Sequence, residues 1–320
     1  MIDRIIVAVV LSIFSSLSLS AQTADSENNG ESENVSEGQI YNAGSLLKKG
    51  QFDLTMFNSL YTETRSNWKG ENLTGFRTTF ATSLLQFTYG VSKNARINVG
   101  VDVSFRASAT GSSSTVSEVG RAFQFKNNDS TRYGIAYIAP RIKVQPFKQV
   151  SDFSIQSTFI ASFAKNPEGF INSDGSGNGN LYWLEWDRYI WWNQLFYTKD
   201  FGRKKFQLFA EFDLLFRFAK YKTQSSMLDL PVSAFVSWFP VKNFTVYVMT
   251  QFVPRFVYNN GSPENTDWVI GANYTQSGGG IKYQVTPSFN LELLYTNFWQ
   301  SVNNGRGSTF NLGLRYVSRR

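Results

Sequence analysis

The chain has 320 residues, with 31 Lys and Arg against 24 Asp and Glu, 29 Phe, 15 Tyr, 8 Trp, and neither cysteine nor histidine. The missing cysteines exclude disulfides, thiol catalysis, zinc–thiolate sites and a lipid-anchoring cysteine. The missing histidines remove the commonest general base and the commonest transition-metal ligand, so the reading is of a non-enzyme that calls for no cofactor.

Residues 1–21 read as a secretory signal. Arg4 opens it, Ile5 to Phe14 is its apolar core, and Ser18-Leu19-Ser20-Ala21 offers a cleavage point. That core is about half of the ~20 residues a membrane-spanning helix needs. Residues 22–45 are expected to be a disordered periplasmic leader. Its first part, 22–38, holds Asp25, Glu27, Glu31, Glu33 and Glu37 and no Lys or Arg. Without the signal and these acids, 30 basic and 18 acidic residues remain. That excess favours anionic solutes or acidic partners, and at Lys48, Lys49, Arg203, Lys204, Lys205, Arg319 and Arg320 it equally suits anchoring to lipid phosphates.

From residue 49 the chain falls into twelve alternating segments: about 51–62, 74–91, 96–107, 132–145, 153–164, 187–199, 206–219, 230–239, 244–256, 268–284, 289–299 and 308–317. Side chains of a strand alternate between two faces. In FQLFAEFDLLFRF (Phe206 to Phe218) every even position is apolar, while the odd positions include Gln207, Glu211, Asp213 and Arg217. The segment at 132–145 changes phase, since Tyr133, Ile135 and Tyr137 are odd and Ile142 and Val144 even, and a bulge is expected near Pro140. Segments of about 10 residues suit tilted membrane strands better than the shorter strands of soluble sheets.

The links between segments alternate in length. Short ones lie at 92–95, 146–152, 200–205, 240–243 and 285–288. Long polar ones lie at 63–73, 108–131, 165–186, 220–229, 257–267 and 300–307. An even number of strands joined by short periplasmic turns and long outer loops is the pattern of an outer-membrane barrel, with both ends of the domain in the periplasm. A soluble sandwich has no reason to sort its loops in this way. Trp183, Trp186, Tyr189, Trp191 and Trp192 are expected in an aromatic girdle, with Trp238, Trp268 and Trp299 at other strand ends. A sugar-stacking patch on Trp183 and Trp186 is the competing reading.

LLKKGQFDLTMFNSLYT (Leu46 to Thr62), FVSWFPVKNFTVYV (Phe235 to Val248), GGGIKYQVTPSFNLELLYTNF (Gly278 to Phe298) and FNLGLRY (Phe310 to Tyr316) resemble outer-membrane β-barrel proteins of Gram-negative bacteria, in particular porin-like barrels and transporters. The resemblance covers roughly residues 45–320, and the barrel domain is expected over 46–320. It implies an all-β fold, a transmembrane antiparallel up-and-down barrel of about twelve strands, exported to the cell outer membrane. It also implies outer-membrane lipid and the barrel assembly machinery as partners. The chain departs from the common pattern of a terminal aromatic, since Val-Ser-Arg-Arg follows Tyr316.

With the apolar face outward, Arg96, Asp102, Arg106, Glu211, Asp213, Arg217, Lys282 and Glu292 are the expected pore lining, beside Asn98, Gln207 and Asn290. The function expected is passive passage of small hydrophilic solutes through a charged lumen. The alternatives are a lumen closed by ion pairs, or a non-conducting barrel whose long outer loops bind a partner. Loop 108–131 is the expected discriminator: folded inward it narrows a pore, and projecting outward it serves recognition. DGSGNGNLYWLE (Asp174 to Glu185) fits the spacing of a calcium loop at Asp174, Ser176, Asn178, Gly179 and Glu185, but only two of these are charged and no metal site is assigned. Gly278-Gly279-Gly280 is expected to relieve crowding within a strand. Nothing clusters basic and aromatic residues in a nucleic-acid pattern.

Overall fold

The computed structural model describes residues 46–164, 181–220, 225–258 and 268–318. The signal and leader expected over residues 1–45, the calcium-loop residues Asp174 to Gly179, and Arg319 and Arg320 lie outside them.

The strands are β1 (Phe52–Trp68), β2 (Glu71–Gly90), β3 (Ile97–Thr110), β4 (Thr131–Val144), β5 (Phe153–Ser162), β6 (Tyr189–Phe201), β7 (Phe206–Phe218), β8 (Met227–Asp229), β9 (Val232–Val241), β10 (Phe244–Tyr258), β11 (Trp268–Thr286), β12 (Phe289–Val302) and β13 (Asn304–Val317). A 3-10 helix, Val116–Gln124, lies between β3 and β4. Each strand pairs antiparallel with its neighbour, and β13 pairs with β1 over Asp53↔Val317 to Asn67↔Asn304. β8 and β9 share one position, both pairing with β7 and β10. The result is a closed antiparallel barrel of twelve strand positions. Closure leaves no sheet edge, which is the condition for a β structure in hydrocarbon. The seam is sealed by Phe52 N–H, which donates to Ser318 Oγ at 2.7 Å.

The distribution of polarity is inverted relative to a soluble protein. The largest fully buried side chains are Asn98, Thr79, Thr158, Ser104, Ser108 and Ser154, all polar. Leu54, Phe87, Val99, Ile142, Val248, Leu293 and Phe310 are exposed on the outside. Val248 is 60% exposed although it lies in mid-strand. Water around this exterior would forfeit about 25 cal/mol per Å² of apolar surface. Lipid removes that cost, so the exterior is a lipid-facing band.

All twelve expected segments are strands, and two expected loops are not loops. β1 runs on to Trp68 and β2 starts at Glu71, leaving Lys69 and Gly70 as a two-residue turn with φ of 50° and 88°. Positive φ at both positions gives the hairpin turn whose twist suits antiparallel strands. Likewise β12 and β13 meet around Asn303, φ 51°. Here the backbone ladder continues after the apolar alternation stops, because strand ends standing clear of lipid need no apolar outer face. The expected bulge is also displaced. It falls at Ala136, where Ser104 pairs with Tyr137 and Phe105 with Ile135, and not near Pro140. It turns Tyr137 inward, where it packs beside Ala139, Ile160 and Ile190.

The strand position expected at 230–239 begins earlier, with β8 in the expected link 220–229, and resumes at Val232 as β9. Leu230 and Pro231 interrupt it, and the broken ladder is bridged by Leu230 N–H to Pro254 O at 3.0 Å and Asp213 N–H to Pro231 O at 2.9 Å. Proline has no N–H for a ladder, which is why the break falls there.

Candidate functional site

Seven of the eight expected lining residues lie on strand positions facing the barrel interior. Asp102 on β3 and Arg141 on β4 form an ion pair at 3.2 Å, and Gln86 Nε2 donates to Asp102 at 3.1 Å. Lys282 and Glu292 pair across β11 and β12 at 3.7 Å, and Tyr247 Oη donates to Glu292. Glu211 accepts from Gln194, at 2.6 Å, which accepts in turn from Gln156. Asp213, two residues on, is 4% exposed. Arg217 and Arg106 stand toward the long-loop end. Arg96 is the exception. It precedes β3, and its guanidinium donates to the carbonyls of Gln145 and Pro146 in the turn between β4 and β5.

Other interior charges carry the same alternation but were not singled out. Arg315 pairs with Asp53 across β13 and β1, its Nε at 2.7 Å. Lys143 lies over the Phe196 ring at 4.6 Å. Arg141 and Lys143 flank the outward Ile142, and Arg315 flanks the outward Tyr316, so parity alone was enough to find them. Gly280 answers the question of the glycine triplet. A Cβ there would stand 2.5 Å from both Tyr247 Oη and Leu293 O. Glycine makes room for Tyr247 to cross β11 and reach Glu292.

The interior is not uniformly polar. Phe196, Phe209, Phe235 and Tyr247 form a chain of ring contacts at 5.5–6.1 Å along the inner wall. Nearer the long-loop end Trp192 and Leu215 pack against Ala139, Ile160 and Ile190.

Residues 181–188, ahead of β6, turn into the barrel. Arg106 Nη1 pairs with Glu185 at 2.8 Å and donates to Leu184 O at 3.3 Å. Ser108 Oγ donates to Trp183 O, and Arg132 Nη1 to Tyr182 O at 3.4 Å. Leu184, Glu185, Asp187 and Arg188 are all buried. The girdle expected for five aromatics is therefore corrected for three. Trp183 packs edge-on against Phe80 inside the barrel, Trp186 packs against Trp183, and Trp192 joins the interior apolar group. Tyr189 and Trp191 remain exposed outside. The reason is parity in β6, which sends 190, 192 and 194 inward, and the hydrogen bonds that draw the preceding segment in. Glu185, the last position of the calcium-loop spacing, is held by Arg106, and among the described residues no group of acids fits a metal ion.

The expected discriminator, loop 108–131, does not itself narrow the interior. β3 continues to Thr110, and the 3-10 helix packs on β2, β3 and β4. Phe125, just past it, packs at a tilt against Phe105 and edge-on against Tyr133. The inward segment comes instead from the link between β5 and β6.

Around Trp186 the charges are unequal. Arg188, Arg217 and Arg255 lie 5.5–5.9 Å from its ring centre. Asp229 on β8 receives Arg217 from β7 at 3.1 Å and Arg255 from β10 at 2.7 and 3.0 Å. Arg255 follows the odd inward phase of β10. Asp229 was obscured by the Leu230-Pro231 interruption, and nothing periodic marks 181–188.

No family model matches this sequence, and no curated protein matches it. Among solved structures, the COG4313 outer membrane channel from Pseudomonas putida F1 superposes with a TM-score of 0.63 at 10% identity, covering 86% of this chain and 98% of that one. The beta domain of the Bordetella autotransporter BrkA gives 0.52 at 10% identity, over 84% and 99%. The fold is that of the outer-membrane β-barrel proteins.

Proposed function

We propose that this barrel passes small hydrophilic solutes passively across the outer membrane through its charged lumen, with segment 181–188 as the constriction. The observation that carries the reading is the inner wall. Hydrogen-bonding and charged groups from most strands face a common interior, and one inserted segment, anchored by Arg106, narrows it. Such a wall replaces water contacts for a polar solute, whereas an anchor needs only to be filled. The likeness in fold to a solved outer membrane channel agrees with this reading. Arg106 and Arg217 act in the constriction, Glu211 and Asp213 form an acidic belt, and Asp102, Lys282 and Glu292 line the wall. Outer-membrane lipid surrounds the barrel, and the assembly machinery inserts it.

The test is single-channel recording of the refolded barrel in a planar bilayer under a salt gradient. Steady conductance, with ion selectivity shifted toward cations by Arg106→Glu or Arg217→Glu, is the expected result. A folded barrel that carries no current in either leaflet orientation refutes the reading.

A further inference from the structure

We propose that the guanidinium cluster around Trp186 is a binding site for a small organic anion, recognised through its carboxylate. The proposal rests on the channel reading and names the solute class. Its first support is charge. Besides Arg188, Arg217 and Arg255, Lys220 pairs with Asp187 at 2.7 Å, and Arg132 lies within electrostatic reach of the same carboxylate. Among the described residues these cations face Asp187 and Asp229, while Glu185, which accepts from the Trp186 backbone N–H, is already paired with Arg106. A surplus of positive charge in a confined, low-dielectric site attracts an anion far more strongly than the same charges in water.

The second support is an unfilled donor. Arg188 is 5% exposed, its Nη1 donates to Ser225 O, and its Nε has no partner. A buried donor left unpaired carries a desolvation cost that a ligand oxygen removes. The third is geometry. Arg217 and Arg255 already hold a carboxylate, that of Asp229, from two strands at once. The planar guanidinium fork fits a planar carboxylate. The Trp186 ring lies within cation–π reach of all three guanidiniums, which restrains them and so limits the rotamer freedom lost on binding. The site stands at the inserted segment, where a passing solute has to slow.

The experiment is calorimetric titration of the folded, detergent-solubilised barrel with sodium succinate at low salt, folding being checked by heat-modifiable gel mobility. Saturable binding that weakens about tenfold in Arg188→Gln is expected, from the loss of one charge-assisted contact. Arg188 belongs to the inserted segment and not to a strand, so this variant spares the barrel ladder. Arg188→Lys, which keeps the charge and loses the fork, is expected to bind between the two. Lys199→Gln, at the far end of β6, is expected to bind as the wild type does. No saturable binding, or binding equal in wild type, Arg188→Gln and Arg255→Gln, overturns the proposal. Tighter binding of inorganic phosphate than of succinate overturns the carboxylate assignment. Calorimetry reads binding whether or not the barrel conducts. Conductance without succinate binding removes the site and leaves the channel, while binding without conductance supports the site and removes the channel.

Discussion

Arg106→Ala tests whether segment 181–188 is the constriction. Arg106 is the anchor with the most contacts: an ion pair to Glu185 at 2.8 Å, a hydrogen bond to Leu184 O at 3.3 Å, and one from Nε to Thr82 at 3.1 Å. Glu185 is left 8% exposed and without its cation. Removing one partner of a fully buried pair costs ~3–5 kcal/mol. Arg106 retains 20% exposure, so water relieves part of this, and about 2 kcal/mol is the appropriate figure. That shifts the equilibrium between inserted and released segment about 30-fold. In single-channel recording the ratio of time at high conductance to time at low conductance is expected to rise by that factor. Glu185→Gln, which keeps the shape and removes the charge, is expected to move it in the same direction by less. The chain has no cysteine, so a spin label at Trp183→Cys reports the segment alone, and its mobility is expected to rise in both backgrounds. Unchanged conductance histograms together with unchanged label mobility in both variants would refute the reasoning.

Gly280→Ala places a methyl group 2.5 Å from Leu293 O and Tyr247 Oη, so backbone or ring has to move; a loss of ~1–3 kcal/mol is expected in urea unfolding from vesicles, and wild-type stability would show that Tyr247 does not need the gap. Val248→Arg sets a charge on the lipid-facing band and is expected to cost ~2–4 kcal/mol if it lies near the midplane, read from the same titration; no loss would place that surface in water. Glu118, in the 3-10 helix between β3 and β4, accepts from the Ser112 backbone N–H and then from Arg121, which holds its carboxyl below the ordinary value. A lowered folded value means that its contribution is present above the ordinary carboxylate range and is lost as pH falls through the lowered value. The Ser112 amide is therefore expected to stay protected from exchange through the ordinary range of about 4–4.5 and to lose protection below it; equal protection in Glu118→Gln would rule out the carboxylate as its cause.

The alternation in Phe206–Phe218 and Ile97–Thr110 was sufficient to announce strands and to say which side chains share a face, because a period of two is a property of the extended backbone itself. Alternating link lengths then told a membrane barrel from a sandwich. Parity also placed Asp102, Glu211, Asp213, Arg217, Lys282 and Glu292 together on one face, and reached Arg255 and Arg315 as well. It failed at Tyr137, where one bulge reverses every later side chain, and at Arg96, which lies in a turn where no alternation applies. Tertiary structure alone decided the contents of the lumen. Residues 181–188 have no period. Their place is set by hydrogen bonds to Arg106, Ser108 and Arg132, partners about 50 to 80 positions away in the chain. Two tryptophans that read as a membrane girdle are interior for that reason. Asp229 meets two arginines only because closure of the barrel sets β8 between β7 and β10. Periodicity is local and so is written along the chain, whereas a ring of charges is assembled from many strands and exists only once the last of them has met the first.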